Sequence, residues 1–567
     1  MSERNKDDLE KIKRHTQNWN QECYQKAVQK SPERKKEFTT PAGIPIKEVF
    51  TPEDIAHLDF EKDIGYPGEY PYTRGVYSTM YRSRLWSYRP LSGEGAAENG
   101  KERLQHLLKE GADALSLVPD FNVIFGDGPD DPRVLPTLGK TGTAFCTLKD
   151  YEVYFDEIPV DKVSITLNES FFPLFSFCSV LAIAEKRGVD WSCMAGTCQN
   201  DALLNFHSCH FPCFPPEPMM QVSVDLIQFC SERMPHWNPI SISGYNIQES
   251  GTTAVQELGY AMVDGIAYLQ ACIDAGMEVD QAAGKFTFFF AAQNNFFEEV
   301  AKFRAARRMW ARIVKERFGG GKTPKSCQLK FHTQTAGSAL TYQQPENNLI
   351  RGTIHALAAV IGGTQSLHVT CYDEAWQTPL KKAATLSVRT QQIIGHESGV
   401  ADVTDPLAGS YYVEYLTDEI EKRAWEYVEK IDNLGGIIKA IELGLVKRDL
   451  FNTASRMQEE IEKREKVVVG VNQFATEDEE DPFHELYEPI DQEEVKRTVL
   501  ERYYKVKEER NPEAVARTLK KLKEAAGKKE NLVLPCLDVV KAYATINETV
   551  AALKEVFGAF DAHSTLH

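Results

Sequence analysis

Residues suited to hydrogen bonding recur where short apolar segments of this chain end. They are Arg89, Asp120, Asn168, Gln199, Asn246, Gln293, His332 with Gln334, and His368 with Glu374. Amides, imidazoles and carboxylates of this kind can orient carbonyl and hydroxyl groups of a bound molecule. If the fold brings the segment ends together, these side chains form one ring around a binding mouth.

The apolar segments themselves predict strands, and helical stretches separate them. The segments lie at 86–91, 114–118, 163–167, 194–199, 240–245, 286–290, 329–332 and 366–370. The intervening helices include 102–110, 253–275, 297–316 and 348–361. Eight repeats of strand and helix are the pattern of an α/β fold, the closed parallel (β/α)8 TIM barrel. Such a barrel carries its chemistry at the carboxyl ends of the strands, where the polar residues lie.

The chain divides into three regions by composition. Residues 1–85 predict an N-terminal arm, charged and helix-prone to residue 40, followed by an extended segment rich in Pro, Gly and Tyr. Residues 86–400 predict the barrel, which is the candidate substrate domain. Residues 401–567 predict a helical C-terminal region, with an acidic stretch at 476–481 that is typical of a solvated loop.

Bulk composition excludes several classes of protein. The net charge of −18 argues against a nucleic-acid partner, since phosphate binding needs a basic face. Twelve cysteines without paired spacing indicate reduced thiols and a cytoplasmic protein. The N-terminus has no apolar stretch that would indicate a signal peptide. No run of about 18 apolar residues occurs, so we expect no membrane span.

Two local motifs suggest other chemistry but fit it poorly. The glycine-rich stretch 319–323 resembles a phosphate loop, but it lacks the first glycine at the required spacing and follows a predicted helix. His207, Cys209, His210 and Cys213 contain candidate soft-metal ligands, but zinc sites favour other spacings and usually a second pair. We therefore predict no metal site; if one existed, Cys209 would be a ligand.

Longer motifs resemble the large subunit of the adenosylcobalamin-dependent acyl-CoA mutases, the methylmalonyl-CoA mutase family. They are YPYTRG at 70–75, TMY at 79–81, AGTCQND at 195–201, SISGY at 241–245, FFEEVAKFRAARR at 296–308, HTQTAG at 332–337, GGTQSLH at 362–368, DEA at 373–375 and DPLAGS at 405–410. The resemblance runs from about residue 40 to the end. It implies a radical rearrangement of acyl-CoA thioesters in which the cofactor supplies the reactive species and the barrel holds the pantetheine chain.

The same resemblance implies roles for residues at matching positions. The implied CoA contacts are Tyr77, Thr79, Arg84, Arg89, Ser116 and Lys285. The implied catalytic residues of the substrate cavity are Gln199, Tyr245 and Asn246. Glu374 matches the carboxylate that holds the adenosyl ribose, and the rest of the implied cofactor face is His332, Gln334, Gly337 and Thr370.

Three departures from the family pattern indicate an uncharged acyl group. Leu91 stands where methylmalonyl-CoA mutases place a Tyr, and Cys209, ten residues after Gln199, where they place an Arg. Val118 stands where hydroxyacyl mutases carry an Asp. A buried carboxylate without a cation costs several kcal/mol, which disfavours methylmalonyl-CoA. The resemblance therefore favours a branched, neutral substrate such as isobutyryl-CoA or 2-hydroxyisobutyryl-CoA.

Asn246 stands where the family has a His that binds the migrating thioester carbonyl. The amide can donate a hydrogen bond but cannot become cationic. With the divergent segment 119–126, this leaves a second interpretation open: a catalytically weak acyl-CoA-binding barrel that acts as an assembly partner. A third is a lyase or isomerase that uses Asp120 with His332 as an acid–base pair and needs no cobalamin.

The resemblance also implies a partner. Fused members of the family carry a C-terminal cobalamin domain with an Asp-x-His-x-x-Gly motif, and this sequence contains no such motif. The implied arrangement is a separate small cobalamin-binding subunit, in a heterotetramer of two large and two small chains.

Overall fold

The computed structural model describes residues 3–170, 172–209, 212–476 and 490–560. Its strands are β1 Ser87–Tyr88, β2 Leu91–Ser92, β3 Ala114–Leu117, β4 Ser164–Leu167, β5 Gly196–Cys198, β6 Trp237–Asn238, β7 Ile240–Ser243, β8 Phe286–Ala292, β9 Phe331–Thr335 and β10 Ser366–His368. Every pairing between them is parallel.

The described helices follow and separate these strands. They are α1 Glu3–Trp19, α2 Gln25–Lys30, α3 Ala97–Lys109, α4 Phe121–Ile124, α5 Leu148–Tyr154, α6 Pro173–Lys186, α7 Pro216–Arg233, α8 Tyr245–Glu249, α9 Ala254–Asp274, α10 Val279–Ala283, α11 Phe296–Arg312, α12 Pro324–Cys327, α13 Asn347–Ile361, α14 Lys381–Glu397, α15 Tyr411–Asn433, α16 Ile437–Glu442, α17 Leu445–Glu462, α18 Gln492–Glu509, α19 Pro512–Gly527, α20 Val533–Lys541 and α21 Ile546–Phe557. None of them is long and apolar enough to span a bilayer.

The strands form two ladders, in the orders β1-β10-β9-β8-β7 and β2-β3-β4-β5-β6, which are halves of one closed barrel. Pro90 separates β1 from β2 and Pro239 separates β6 from β7. Proline has no N–H to continue a ladder, so each pair is one strand that belongs to both ladders. The halves also join where Ser241 N–H donates to the Gln199 carbonyl at 2.9 Å. The predicted eight-stranded TIM barrel is confirmed.

Apolar side chains of the barrel wall face outward, against the helices. Ile165, Ile242, Phe288 and Leu367 are fully buried and belong to two large clusters shared with those helices. Phe286, Phe288 and Phe290 of β8 and the Ile residues of β7 thus alternate with the residues that face the axis. The hydrophobic core of this molecule lies outside the barrel wall.

Mostly polar residues face the barrel axis, where most TIM barrels pack branched apolar side chains. Strand register places the axis-facing residues in rows: Leu91, Ser116, Thr166 and Thr197 in one, and Ser366, His332, Phe289 and Ser243 in another. Leu91, Thr197, Phe289 and His332 keep partial exposure although they lie inside the wall. The axis is therefore lined by hydrogen-bonding groups, and we call the space that these rows enclose the bore.

Buried ion pairs fasten the C-terminal helices to the barrel. Arg304 of α11 lies between Asp405 and Glu414, with Nη2 to Glu414 Oε1 at 2.6 Å. Arg308, one turn further on, pairs with Glu421 of α15. Removing one partner of such a pair leaves a buried charge and costs about 3–5 kcal/mol. The motif at 296–308 thus holds the C-terminal helices against the barrel.

Candidate active site

Three predicted catalytic residues meet where β5 and β7 end. Gln199 directly follows β5 and is buried, and its N–H donates to Leu167 of β4 at 2.9 Å. After β7 the chain turns at Gly244, where a Cβ would lie 2.8 Å from Glu257 Cγ. This tight turn delivers Tyr245 and Asn246 to the rim at the start of α8.

Tyr245 faces the bore and is held by a carboxylate that sequence reasoning missed. Its ring stacks on Phe289, with centroids 4.6 Å apart and planes at 12°. Glu249, one helical turn later, accepts hydrogen bonds from Ser338 N–H at 2.8 Å and Ser338 Oγ at 2.9 Å. Burial raises the pKa of Glu249, and it raises the pKa of Tyr245 well above its usual range. The i,i+4 spacing of Tyr245 and Glu249 on one helix face was the available signal.

A glycine lies directly beside this carboxylate. A Cβ at Gly337 would lie 3.2 Å from Glu249 Oε2 and 4.0 Å from the Tyr245 hydroxyl. The structure therefore brings the predicted cofactor residue Gly337 to the predicted catalytic residue Tyr245. A larger residue at 337 would press on Glu249.

A second carboxylate, Glu374, lies near Leu91, with a histidine between them. Glu374 Oε1 accepts the Cys371 N–H at 2.7 Å. His368 Nδ1 accepts the Leu91 N–H at 3.3 Å, and its Nε2 is 3.5 Å from Glu374 Oε1. His368 is buried, and its ring lies between the Leu91 main chain and Glu374. We call this rim, formed by Gln199, Tyr245, Asn246, Glu249, Gly337 and Glu374, the carboxyl mouth.

The opposite rim is cationic. Lys285 precedes β8, and its Nζ donates to the carbonyls of Met234 at 2.7 Å and of Trp237 at 3.2 Å. Lys330 precedes β9, and burial together with Lys325 and Lys285 lowers the pKa of Lys330 to about 8. Within the described ranges none of these three lysines forms an ion pair with a carboxylate. Like charges held together in this way indicate a site for an anion.

The predicted loop contacts lie at this same rim. Gln328 Nε2 donates to the Val76 carbonyl at 3.0 Å, which ties the loop that carries Tyr77 and Thr79 to the segment before Lys330. Tyr77 is 48% exposed, and the Arg84 side chain is 79% exposed with Nη2 3.7 Å from Asp113. These side chains are accessible to a ligand. We call this rim, formed by residues 76–84 with Lys285, Lys325 and Lys330, the amino mouth.

The glycine-rich stretch near this rim does not bind phosphate with its own amides. The N–H groups of Gly321 and Thr323 donate to Asp280 Oδ1 at 3.0 and 3.1 Å. A carboxylate therefore occupies the anion position of this loop, in agreement with the prediction from its spacing.

Comparison with known proteins identifies the family. Residues 39–559 match the family model described as methylmalonyl-CoA mutase. The chain belongs to that family. It is 40% identical over 536 residues to the 2-hydroxyisobutanoyl-CoA mutase large subunit of Aquincola tertiaricarbonis, which covers 94% of each chain. Methylmalonyl-CoA mutases of Rhizobium meliloti and Homo sapiens are 38% and 37% identical over 92% and 93% of this chain, and 73% and 69% of their own.

Because the chain belongs to the methylmalonyl-CoA mutase family, the position of each predicted site residue bears on its function. Two of these residues, Arg89 and His332, do not lie where they were predicted. Arg89 Nη2 donates to Ser164 Oγ at 3.1 Å, and His332 Nδ1 is 2.8 Å from Ser366 Oγ. Ser164 and Ser366 begin their strands, so Arg89 and His332 lie in the amino half of the bore and not at the carboxyl ends. His332 was misplaced because β9 runs on to Thr335, beyond its predicted end. Arg89 was misplaced because its strand continues through β2 to Ser92.

The surroundings of these two residues fix their charge. Burial lowers the pKa of Arg89 to about 10, which leaves it cationic at neutral pH. Burial and the nearby Arg89 hold the pKa of His332 well below its usual range, so the imidazole is neutral. Gln334 lies two residues further along β9, beside His368, and so is nearer the carboxyl mouth. Ser116, in the bore, accepts a hydrogen bond from Asn168.

Hydrogen bonds bear on two further predictions. Asp120 Oδ2 accepts from Gly139 N–H at 2.9 Å and Thr141 Oγ1 at 3.1 Å, so it braces its own loop instead of facing the mouth. This removes the support for an acid–base pair with His332. The Thr370 hydroxyl donates its proton to the Thr335 carbonyl, and its contact with a cofactor stays a prediction.

The structure describes only some of the residues that were predicted to border the acyl group. Val118 is half-buried, and its carbonyl accepts the Thr143 N–H at 2.9 Å. Cys209 ends the π-helical turn Asn205–Cys209, but its side chain, like His210, lies outside what the structure describes. The prediction that Cys209 leaves the acyl pocket without a cation stays a prediction.

Proposed function

We propose that this chain is the substrate-binding large subunit of an adenosylcobalamin-dependent acyl-CoA mutase that rearranges an uncharged, branched acyl-CoA. The substrate class is that of 2-hydroxyisobutyryl-CoA or isobutyryl-CoA. The observation that carries the proposal is the hydrogen-bonding bore with lysines at one mouth and carboxylates at the other. A long ligand with a polyanionic end and a reactive end fits such a channel in one direction only.

The amino mouth receives the phosphates of CoA. Lys325, Lys330 and the exposed Arg84 supply charge-assisted donors for phosphate oxygens. Lys285, whose Nζ donates to the carbonyls of Met234, Pro235 and Trp237, adds positive charge beside them. Arg89 adds a cation inside the bore. Ser116 and the other hydroxyl-bearing residues of the wall then line the path of the pantetheine amides.

The carboxyl mouth holds the thioester. Gln199 and Asn246 carry amide donors for its carbonyl, and the stacked ring of Tyr245 closes one side. Leu91 and Val118 border the acyl group as apolar wall, and Cys209 leaves it without a positive partner. The similarity to a 2-hydroxyisobutanoyl-CoA mutase large subunit supports a neutral acyl group.

The residues of the carboxyl mouth fit a nucleoside. Glu374 and Glu249 are acceptors for ribose hydroxyls, and Gly337 places no side chain against Glu249. When bound, adenosylcobalamin supplies the radical chemistry that starts the rearrangement. The chain itself orients the thioester and excludes water from it.

The proposal includes a partner and a location. A separate small cobalamin-binding subunit would cap the carboxyl mouth in a heterotetramer. The name of the Aquincola relative, a large subunit, supports a smaller companion chain. We place the complex in the cytoplasm, where the free cysteines described in the chain remain reduced.

Reconstitution tests this function. The chain is mixed with a cobalamin-binding small subunit and adenosylcobalamin, and turnover of isobutyryl-CoA, 2-hydroxyisobutyryl-CoA and methylmalonyl-CoA is measured. We expect turnover of a neutral thioester that requires both the subunit and the cofactor. Faster turnover of methylmalonyl-CoA would contradict the neutral acyl group, and turnover without cobalamin would contradict the reaction class.

Asn246→His separates a working mutase from a weak binding barrel. In a working enzyme built around an amide donor, the substitution changes kcat by about tenfold in either direction, because it replaces the group on the carbonyl. A barrel that only binds acyl-CoA gains little from it. The measurement is kcat with 2-hydroxyisobutyryl-CoA, with acyl-CoA affinity as the control for folding.

A further inference from the structure

The last residue of β7, Ser243, holds the side-chain amide of Asn246. Ser243 Oγ donates to Asn246 Oδ1 at 2.7 Å, and the same Oγ accepts the Asn246 main-chain N–H at 3.4 Å. An amide oxygen can only accept, so in this contact the single proton of Ser243 points at Oδ1 and the NH2 group of Asn246 points away from Ser243. We propose that Ser243 is a positioning residue that fixes Asn246 with its NH2 group free as a donor.

Ser243 is itself held rigidly. It is fully buried, and its N–H donates to Asp201 Oδ2 at 2.7 Å. Asp201 Oδ1 accepts from the Tyr268 hydroxyl of α9 at 2.7 Å. The chain of contacts therefore runs from α9 through Asp201 and Ser243 to Asn246. A side chain anchored in this way can set the orientation of its neighbour.

The orientation decides what Asn246 can do. Its Nδ2 makes no hydrogen bond with any residue that the structure describes, and the residue is half-buried at the carboxyl mouth. An NH2 group there can donate to a thioester carbonyl, whereas a flipped amide would present an oxygen to that carbonyl oxygen. An amide without Ser243 can take either orientation. This inference rests on the proposed function, because it states that Ser243 orients the NH2 group that donates to the thioester carbonyl.

Ser243→Ala in the reconstituted holoenzyme tests the positioning role. We expect kcat for 2-hydroxyisobutyryl-CoA to fall about tenfold while KM stays within about twofold, since the lost contact acts on the reacting carbonyl. In an Asn246→Ala background the same substitution should have no further effect, because no amide remains to be oriented. A merely structural role would lower kcat by the same factor in both backgrounds.

Ser250→Ala is the matched control. Ser250 Oγ donates to the main-chain carbonyl of Asn246 at 2.8 Å, so its loss removes a hydroxyl beside the same residue without freeing the side-chain amide. We expect its kcat to equal that of the wild type. A fall equal to that of Ser243→Ala would overturn the inference.

A binding measurement decides the inference even if the proposed reaction fails. Calorimetry compares isobutyryl-CoA with its thioether analogue, which lacks the carbonyl. Ser243→Ala should weaken binding of the thioester about fivefold and leave the thioether unchanged. Equal affinities of wild type and variant for the thioester would overturn the positioning role, whereas absent turnover with this binding difference intact would overturn only the mutase assignment.

Discussion

The two mouths of the bore differ in their ionisable groups although strands of one barrel form both. At the amino mouth, Lys285 and Lys330 precede β8 and β9, and among the described residues neither forms an ion pair with a carboxylate. At the carboxyl mouth, Glu249 and Glu374 supply carboxyl groups. Under the proposed function, the amino mouth sets how tightly the chain binds its ligand, and the carboxyl mouth sets which reaction the bound molecule undergoes.

Glu374→Gln should give the largest effect and act on rate alone. The substitution removes a carboxylate acceptor at the carboxyl mouth, and loss of one such hydrogen bond is worth about tenfold to a hundredfold in kcat. Affinity for isobutyryl-CoA should stay unchanged, because the proposed CoA contacts lie at the other mouth. Steady-state kinetics of the holoenzyme measure both quantities. Glu346→Gln, an exposed carboxylate near the same rim, is the control.

Lys330→Met, at the amino mouth, should change affinity and leave the rate nearly unchanged. Loss of one phosphate donor should raise KM for acyl-CoA about tenfold and leave kcat nearly unchanged. The exposed Lys322→Met, in the neighbouring loop, should change neither. If Lys330→Met lowered kcat without changing KM, the division of labour between the mouths would be wrong.

The same variant should be more stable than the wild type at pH 7. The pKa of Lys330 is about 8 in the folded chain and below its unfolded value, so its charge opposes folding at low pH and the penalty fades as pH rises from about 8 towards 10.5. Removing the charge should raise Tm by about 1–2 °C at pH 7. Thermal denaturation at pH 7 and pH 10 measures the difference, which should shrink at the higher pH.

Glu169→Gln should affect stability only. Glu169 follows β4, is 1% exposed, and burial raises its pKa to about 8. Its stabilising contribution is complete below the unfolded pKa of about 4.5 and is lost as pH rises through about 8. The variant should therefore gain about 1–3 kcal/mol over wild type at pH 9 and little at pH 5. The exposed Glu217→Gln should show no such pH dependence in chemical denaturation.

Sequence patterns were sufficient for the barrel but only partly for its site. Runs such as 286–290 alternate between residues that face the helices and residues that face the axis, and their apolar content located the strands. Leu329 is apolar and buried yet precedes β9, so that strand was predicted too early and His332 was placed too far toward the carboxyl end. Strand ends depend on ladder hydrogen bonds, which apolar content does not reveal.

Lys330 was missed and Asp120 was misplaced for a different reason. Lys330 stands between apolar residues, and only its position immediately before a strand, like that of Lys285, marks it as part of a rim. Asp120 was misplaced because its partners Gly139 and Thr141 lie in an irregular loop with no periodic signal. Contacts between segments distant in sequence decided both cases.

The direction of the ligand in the bore tests the account most directly. A crystal structure of the chain with bound isobutyryl-CoA should show the pyrophosphate against Lys285, Lys325 and Lys330, and the thioester carbonyl within hydrogen-bond distance of Asn246 Nδ2. The acyl carbons should contact Leu91 with no cationic side chain beside them. A CoA that enters through the carboxyl mouth, or a basic side chain that reaches the acyl group next to Cys209, would contradict it.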